Sequence, residues 1–155
     1  TAREDKIIPD DYYVWWGYED KHLYEYAKKE LIKISQNGQP FAFTMLTVDT
    51  HHIEGYVCDY CRNEYDIQYE NVISCADRQV KEFLDWLKAQ DFYENTTIII
   101  SGDHPTMDAG YIARNIPENY NRKVYNCFIN SLALVSTVFL KFSTWWVYSS
   151  SIKVE

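Results

Sequence analysis

Two short stretches bring metal-capable side chains to the ends of apolar runs. "TIIISGDHPTMD", residues 97–108, leads three consecutive isoleucines into Gly102, Asp103, His104 and Pro105. "FAFTMLTVDTHH", residues 41–52, leads a second apolar run into Asp49, His51 and His52. Carboxylate and imidazole donors together suit a hard divalent cation, and such an ion at a sheet edge serves hydrolysis or group transfer. In open α/β sheets ligands bind beyond the carboxyl ends of the strands, where both clusters are expected to lie. Neighbouring side chains in a strand face opposite ways, so Asp103 and His104 converge only if the strand has already ended. Gly102 permits a sharp turn there and Pro105 stops the strand.

A third group of candidates is the C-x-x-C of Cys58 and Cys61, two of four cysteines. C-x-x-C is half of a common zinc pattern, and His51 and His52 precede it closely. No second C-x-x-C and no H-x₃₋₅-H completes it, so a structural zinc, a disulfide and two reduced thiols all stay open. Cys75 and Cys127 lie in apolar settings and read as buried thiols. Trp15 and Trp16, in "WWGYED", read as core anchors or as an apolar wall with an indole N–H at a site mouth. His22 reads as a surface residue. No G-x-S-x-G, P-loop or G-x-G-x-x-G is present, which removes the common serine-hydrolase, nucleotide and dinucleotide signatures.

The elements that must hold these residues follow from periodicity. Leu23, Ala27, Leu31 and Ile34 mark one face of a helix over 21–34, with Asp20 as its N-cap and Gly38 and Pro40 closing it. Val72, Ile73, Ala76, Val80, Phe83, Leu84 and Leu87 mark a second helix over 71–90. The runs 41–49, 96–103 and 124–130 read as strands, the first two apolar on both faces and parallel to one another. Helices alternating with such strands predict an α/β sheet. Residues 131–148 are almost wholly apolar. They read as core strands or, by length alone, as a membrane helix.

At 155 residues the chain fits one domain, and its net charge of −8 with no basic stripe excludes a nucleic-acid binder. It begins with Thr, carries no signal peptide, and is expected to be a piece of something longer, by natural truncation, frame shift or trimming.

Over residues 10–130 the chain resembles the lipoteichoic acid synthase and phosphoglycerol transferase family, sulfatase-type domains of the alkaline phosphatase superfamily. The resemblance rests on "WWGYED", "FTMLTVDTHHIEGYVCDYC" and "YENVISCADRQVKEFLDWLKAQDFYENTTIIISGDHPTMD", in that order. It implies the carboxy-terminal part of a catalytic domain over 1–130. The fold would be an incomplete three-layer sandwich with a mostly parallel sheet, followed by a divergent tail over 131–155. It implies one divalent ion, Mn²⁺ or Mg²⁺ rather than Zn²⁺, with Asp103 and His104 as ligands. It puts His51 on the substrate phosphate and Trp16 near the glycerophosphate. The substrate would be a phosphoglycerol-bearing lipid or glycan. The domain would sit on the outer face of the bacterial membrane, held by helices upstream of it.

This chain departs from the pattern in four ways. The family's Thr nucleophile and acidic metal ligand lie upstream of "WWG" and have no match here. Gly17 and Tyr18 stand where some members carry an Arg. His52 stands where the family often has an aromatic residue. The resemblance fades after Asn130. No C-x-P-x-R surrounds Cys58 or Cys61, so formylglycine-type sulfate-ester cleavage is not expected. Two readings compete with a catalytic fragment. One is a non-catalytic zinc-binding or interaction protein built on Cys58 and Cys61, and the other is a small protein anchored by 131–148.

Overall fold

Two amphipathic helices packed on each other carry most of the core of the computed structural model, which describes residues 3, 4, 6, 8–12, 14, 17–51 and 53–131. The first, α1, runs Asp20–Ser35 and buries Tyr24, Ala27 and Leu31. The second, α2, runs Gln68–Lys88 and buries Tyr69, Val72, Cys75 and Leu87. Between them the Tyr24 and Phe83 rings lie 5.0 Å apart, and Phe83 stacks on Trp86 at 5.7 Å. Both helices match the predicted periods. On α2, however, Cys75 and Gln79 are buried while Ile73 is 44% exposed, so the inward face is rotated from the expected stripe.

The start of α1 differs from its expected cap. Glu19 is the N-cap residue and makes no side-chain cap bond. Asp20 is fully buried and reaches across to the 41–49 segment, where its Oδ1 accepts from the backbone N–H of Val48 at 2.7 Å and of Asp49 at 3.3 Å. Asp49 Oδ1 in turn accepts the Asp20 N–H at 3.2 Å. The two carboxylates satisfy backbone donors on each other's segment, a long-range counterpart of a capping box.

Two strands form. β1 (Ile98–Ser101) pairs antiparallel with β2 (Asn126–Ile129), in the register Ile98↔Ile129 to Ser101↔Asn126. The ribbon is half-buried in alternation, and Ile99 is 53% exposed. The expectation of a strand over 41–49, parallel to β1, is corrected. Residues 41–49 join no ladder among the described residues, and Leu46 is 76% exposed. An apolar run of that length can only become a central strand where a neighbour supplies the ladder, and no described segment does. A short helix absent from the sequence reading, α3 (Ala109–Asn115), follows β1. Its N-cap, Asp108, accepts the Tyr111 N–H at 2.8 Å. The apolar 131–148 run falls outside the described residues except Ser131; among those residues no helix is long and apolar enough to cross a membrane.

Candidate functional site

The exit of β1 does what Gly102 and Pro105 predict. The strand ends at Ser101, and the Gly102 N–H donates to the Tyr125 carbonyl at 2.8 Å, continuing the backbone pairing one residue beyond the ladder. Asp103 and His104 then turn to the same side. Asp103 Oδ1 accepts the His104 backbone N–H at 2.8 Å. His104 Nδ1 lies 2.9 Å from the Pro105 carbonyl, which can only accept; in the tautomer that donates there, Nε2 is the nitrogen open to a ligand. Nε2 stands 3.4 Å from Asp103 Oδ2, with both side chains largely exposed. Two metal–ligand bonds of about 2.1 Å at a tetrahedral to octahedral angle span roughly 3.0–3.4 Å. A carboxylate oxygen and a correctly oriented imidazole nitrogen at that separation can bind one ion. Among the described residues no third His, Asp, Glu or Cys joins them; the one such group of three is made of thiols.

The loop after 41–49 is tied to this exit by residues the sequence reading did not single out. The Tyr69 hydroxyl lies 3.0 Å from the Thr50 carbonyl and 2.9 Å from Thr106 Oγ1. It donates to the carbonyl and accepts from the Thr106 hydroxyl. Asp108 accepts the Glu54 N–H at 3.3 Å while capping α3, and those backbone donors hold its carboxyl below the usual range. Arg122 clamps the Thr106 carbonyl at 2.8 Å. The "DTHH" turn, which carries His51, and the "GDHPTMD" turn are thereby one connected structure. Tyr69 lies before the predicted start of the helix at 71, and nothing in the sequence marked it. Tyr69→Phe is expected to leave the Thr50 carbonyl without its partner and to cost about 1–3 kcal/mol, read as a lower urea midpoint at unchanged slope. An unchanged midpoint would mean the two turns are not linked through this hydroxyl.

Asp49 does not join the exposed cluster that the sequence reading assigned to it. It is 3% exposed and engaged with Asp20. Burial, reinforced by the negative charge of Asp20, pushes its carboxyl up to about 7. One oxygen of each, Oδ2 of Asp20 and Oδ2 of Asp49, has no hydrogen-bond partner among the described residues. The His51 N–H closes a turn onto the Val48 carbonyl at 2.9 Å. Trp15, Trp16 and His52 lie outside the described residues.

Cys58 and Cys61 are free thiols with sulfurs 3.7 Å apart. Cys75, expected to be a plain buried thiol, comes to them from α2, with its sulfur 3.8 Å from that of Cys58. Burial pushes both the Cys58 and Cys61 thiols up. Cys127 sits half-buried in β2, away from this group.

With strand exit, turn and bridging residues arranged in this way, the chain belongs to the sulfatase family, whose model matches residues 2–125. It is similar to Phosphoglycerol transferase I of Citrobacter koseri, at 35% identity over 99 residues, which is 60% of this chain and 13% of that protein. The proteins of the same name from Escherichia fergusonii and Salmonella newport are 34% identical over the same length and coverage. The chain thus spans about an eighth of the length of these relatives, 13% in each case. No solved structure matches it significantly.

Proposed function

We propose that this chain supplies the late part of the site of a divalent-metal-dependent phosphoglycerol transferase or sulfatase-like hydrolase. The substrates would be phosphate esters of cell-envelope glycerolipids or polymers. The observation that carries this reading is the exposed pair of Asp103 Oδ2 and His104 Nε2, 3.4 Å apart, with Nδ1 turned onto the Pro105 carbonyl. A backbone carbonyl behind the imidazole is the outer-shell arrangement that orients a ligating histidine. Membership of the sulfatase family and the names of the relatives support the reaction class.

In this reading Asp103 and His104 hold Mn²⁺ or Mg²⁺, a hard ion that disperses charge on a transferring phosphoryl group. His51, on the adjoining turn, donates a hydrogen bond to a phosphate oxygen or protonates the leaving alkoxide. Trp16 lies beside the glycerol moiety. Tyr69 and Asp108 hold the two turns in register. The nucleophilic Thr and the acidic ligand belong to the rest of a longer protein. Its sheet completes a three-layer sandwich around β1, and its helices hold the domain on the outer face of a bacterial membrane.

The test is Mn²⁺ binding to the 155-residue chain by electron paramagnetic resonance. Weak binding is expected, reduced at least tenfold in His104→Ala and in Asp103→Asn and unchanged in His22→Ala. Equal Mn²⁺ affinity in all four proteins would remove the ion from this site. The purified chain is expected to hydrolyse no phosphodiester by itself, and measurable turnover would require a nucleophile within these residues.

A further inference from the structure

The three thiols beneath α2 belong to no step of the reading above. Cys58 and Cys61 lie on the loop after the "DTHH" turn, and Cys75 lies 14 residues beyond Cys61 on the helix. Their sulfurs all fall within 4.8 Å of one another, at 3.7 Å for Cys58–Cys61 and 3.8 Å for Cys58–Cys75. A disulfide needs about 2.05 Å. Two thiolates bound tetrahedrally to zinc through bonds of about 2.3 Å stand about 3.8 Å apart. The spacing, which thiols in hydrogen-bond contact also show, is one that sulfurs sharing an ion adopt.

The surroundings agree with that chemistry. Gln79 Nε2 donates to the Cys75 sulfur at 3.6 Å, the contact an outer-shell residue makes. Gln79 is 5% exposed, yet its Oε1 has no partner among the described residues, so a buried acceptor beside the sulfurs is left over. Cys75 and Gln79 line a cavity of about 270 Å³ together with Arg62 and Arg78. That volume is ample for a water as fourth ligand, whose hydrogen Gln79 Oε1 could accept. Three thiolates and a dication carry one net negative charge; the two arginines are paired with Glu64, at 3.7 Å and 2.8 Å, and Glu82 lines the same cavity.

We propose that Cys58, Cys61 and Cys75 form a structural zinc site with three thiolate ligands and a water in the fourth position. The ion clips the loop carrying the "DTHH" turn onto α2. No oxidant or reductant is involved: each thiol releases its proton as its sulfur takes up the metal.

The experiment uses the full 155-residue chain, purified under reducing conditions without chelator. Elemental analysis is expected to give about one zinc per chain, and refilling the stripped protein to release up to about three protons per ion. Co²⁺ in place of zinc should give an intense sulfur-to-metal charge-transfer band. Cys75→Ser should lose at least 100-fold in zinc affinity, more than an outer-shell change costs, while Cys127→Ser and His104→Ala keep it. Co²⁺ binding to the unsubstituted chain decides the matter even if Cys75→Ser fails to fold. Absence of the charge-transfer band, zinc that survives in a folded Cys75→Ser chain, or a Cys58–Cys61 disulfide found by thiol alkylation and mass analysis would each overturn the proposal.

Discussion

Gly55→Ala is expected to destabilise the chain by roughly 2–5 kcal/mol, a large part of the 5–15 kcal/mol typical of a domain. Gly55 has φ +67°, and a Cβ there would lie 2.7 Å from the Asp49 carbonyl oxygen and 2.7 Å from Val72 Cγ1. The left-handed backbone alone costs a non-glycine residue about 1–2 kcal/mol. The steric part adds to it, because neither neighbour can yield. The Asp49 carbonyl is held by the Tyr56 N–H at 2.7 Å, and Val72 is 1% exposed at the centre of the helix packing. Gly38 separates the two costs. It has φ +65° with nothing within 4 Å of its would-be Cβ, so Gly38→Ala should show the backbone cost alone. Urea unfolding of both variants gives the steric cost as their difference. Equal midpoints would mean the loop does not press on α2 at Gly55. The consequence reaches the site, since the loop that Gly55 folds back carries His51 at one end and Cys58 at the other.

The parts legible in the sequence are those set by local rules. Helical spacing placed α1 and α2 within a few residues, and the Gly102–Pro105 bracket placed the turn on which Asp103 and His104 converge. The parts that were not legible depend on partners distant in the chain. Residues 41–49 carry the composition of a buried strand, but a strand is a relation between segments, and no described segment pairs with them. Asp20 has the type and position of an N-cap, yet its carboxylate finds better-placed donors at Val48 and Asp49, 28 and 29 residues away. Cys75 lay off the apolar stripe expected for α2, with nothing local to mark it. Only the packing of the 53–64 loop against the helix brings it to Cys58. Tyr69 is of the same kind: an aromatic at a core position whose hydroxyl does the bridging. The signal for α3 was present in Asp108, a good capping residue, but seven helical residues are too few for periodicity to show.

A fall in stability as pH rises from about 4 to about 7 is the second large effect, and it belongs to Asp49. In the unfolded chain its carboxyl titrates near 3.9. In the fold, burial and then the charge of Asp20 push it up to about 7, while the Asp20 backbone N–H acts in the opposite direction. Across that window the folded chain therefore holds more protons than the unfolded one. Stability falls with pH wherever that is so. The contribution is fully present below about pH 4, is lost as pH rises towards 7, and stays lost above it. At about 1.4 kcal/mol per pKa unit the whole change is on the order of 4 kcal/mol. Asp20, raised in the same direction by its own burial, adds to the same slope. Asp108, held low by its backbone donors, acts with the opposite sign and in a separate window, losing its contribution only as pH falls below the usual carboxylate range. Asp49→Asn keeps an oxygen to accept the Asp20 N–H and has no proton to lose. It should leave stability at pH 4.5 nearly unchanged and raise it by a few kcal/mol at pH 8. Urea unfolding of both proteins at the two pH values measures this. If the unsubstituted chain is as stable at pH 8 as at 4.5, or if the variant shows the same slope, Asp49 is ionised at no cost, and the two carboxylates are screened by something the packing of α1 on the 41–49 segment does not show.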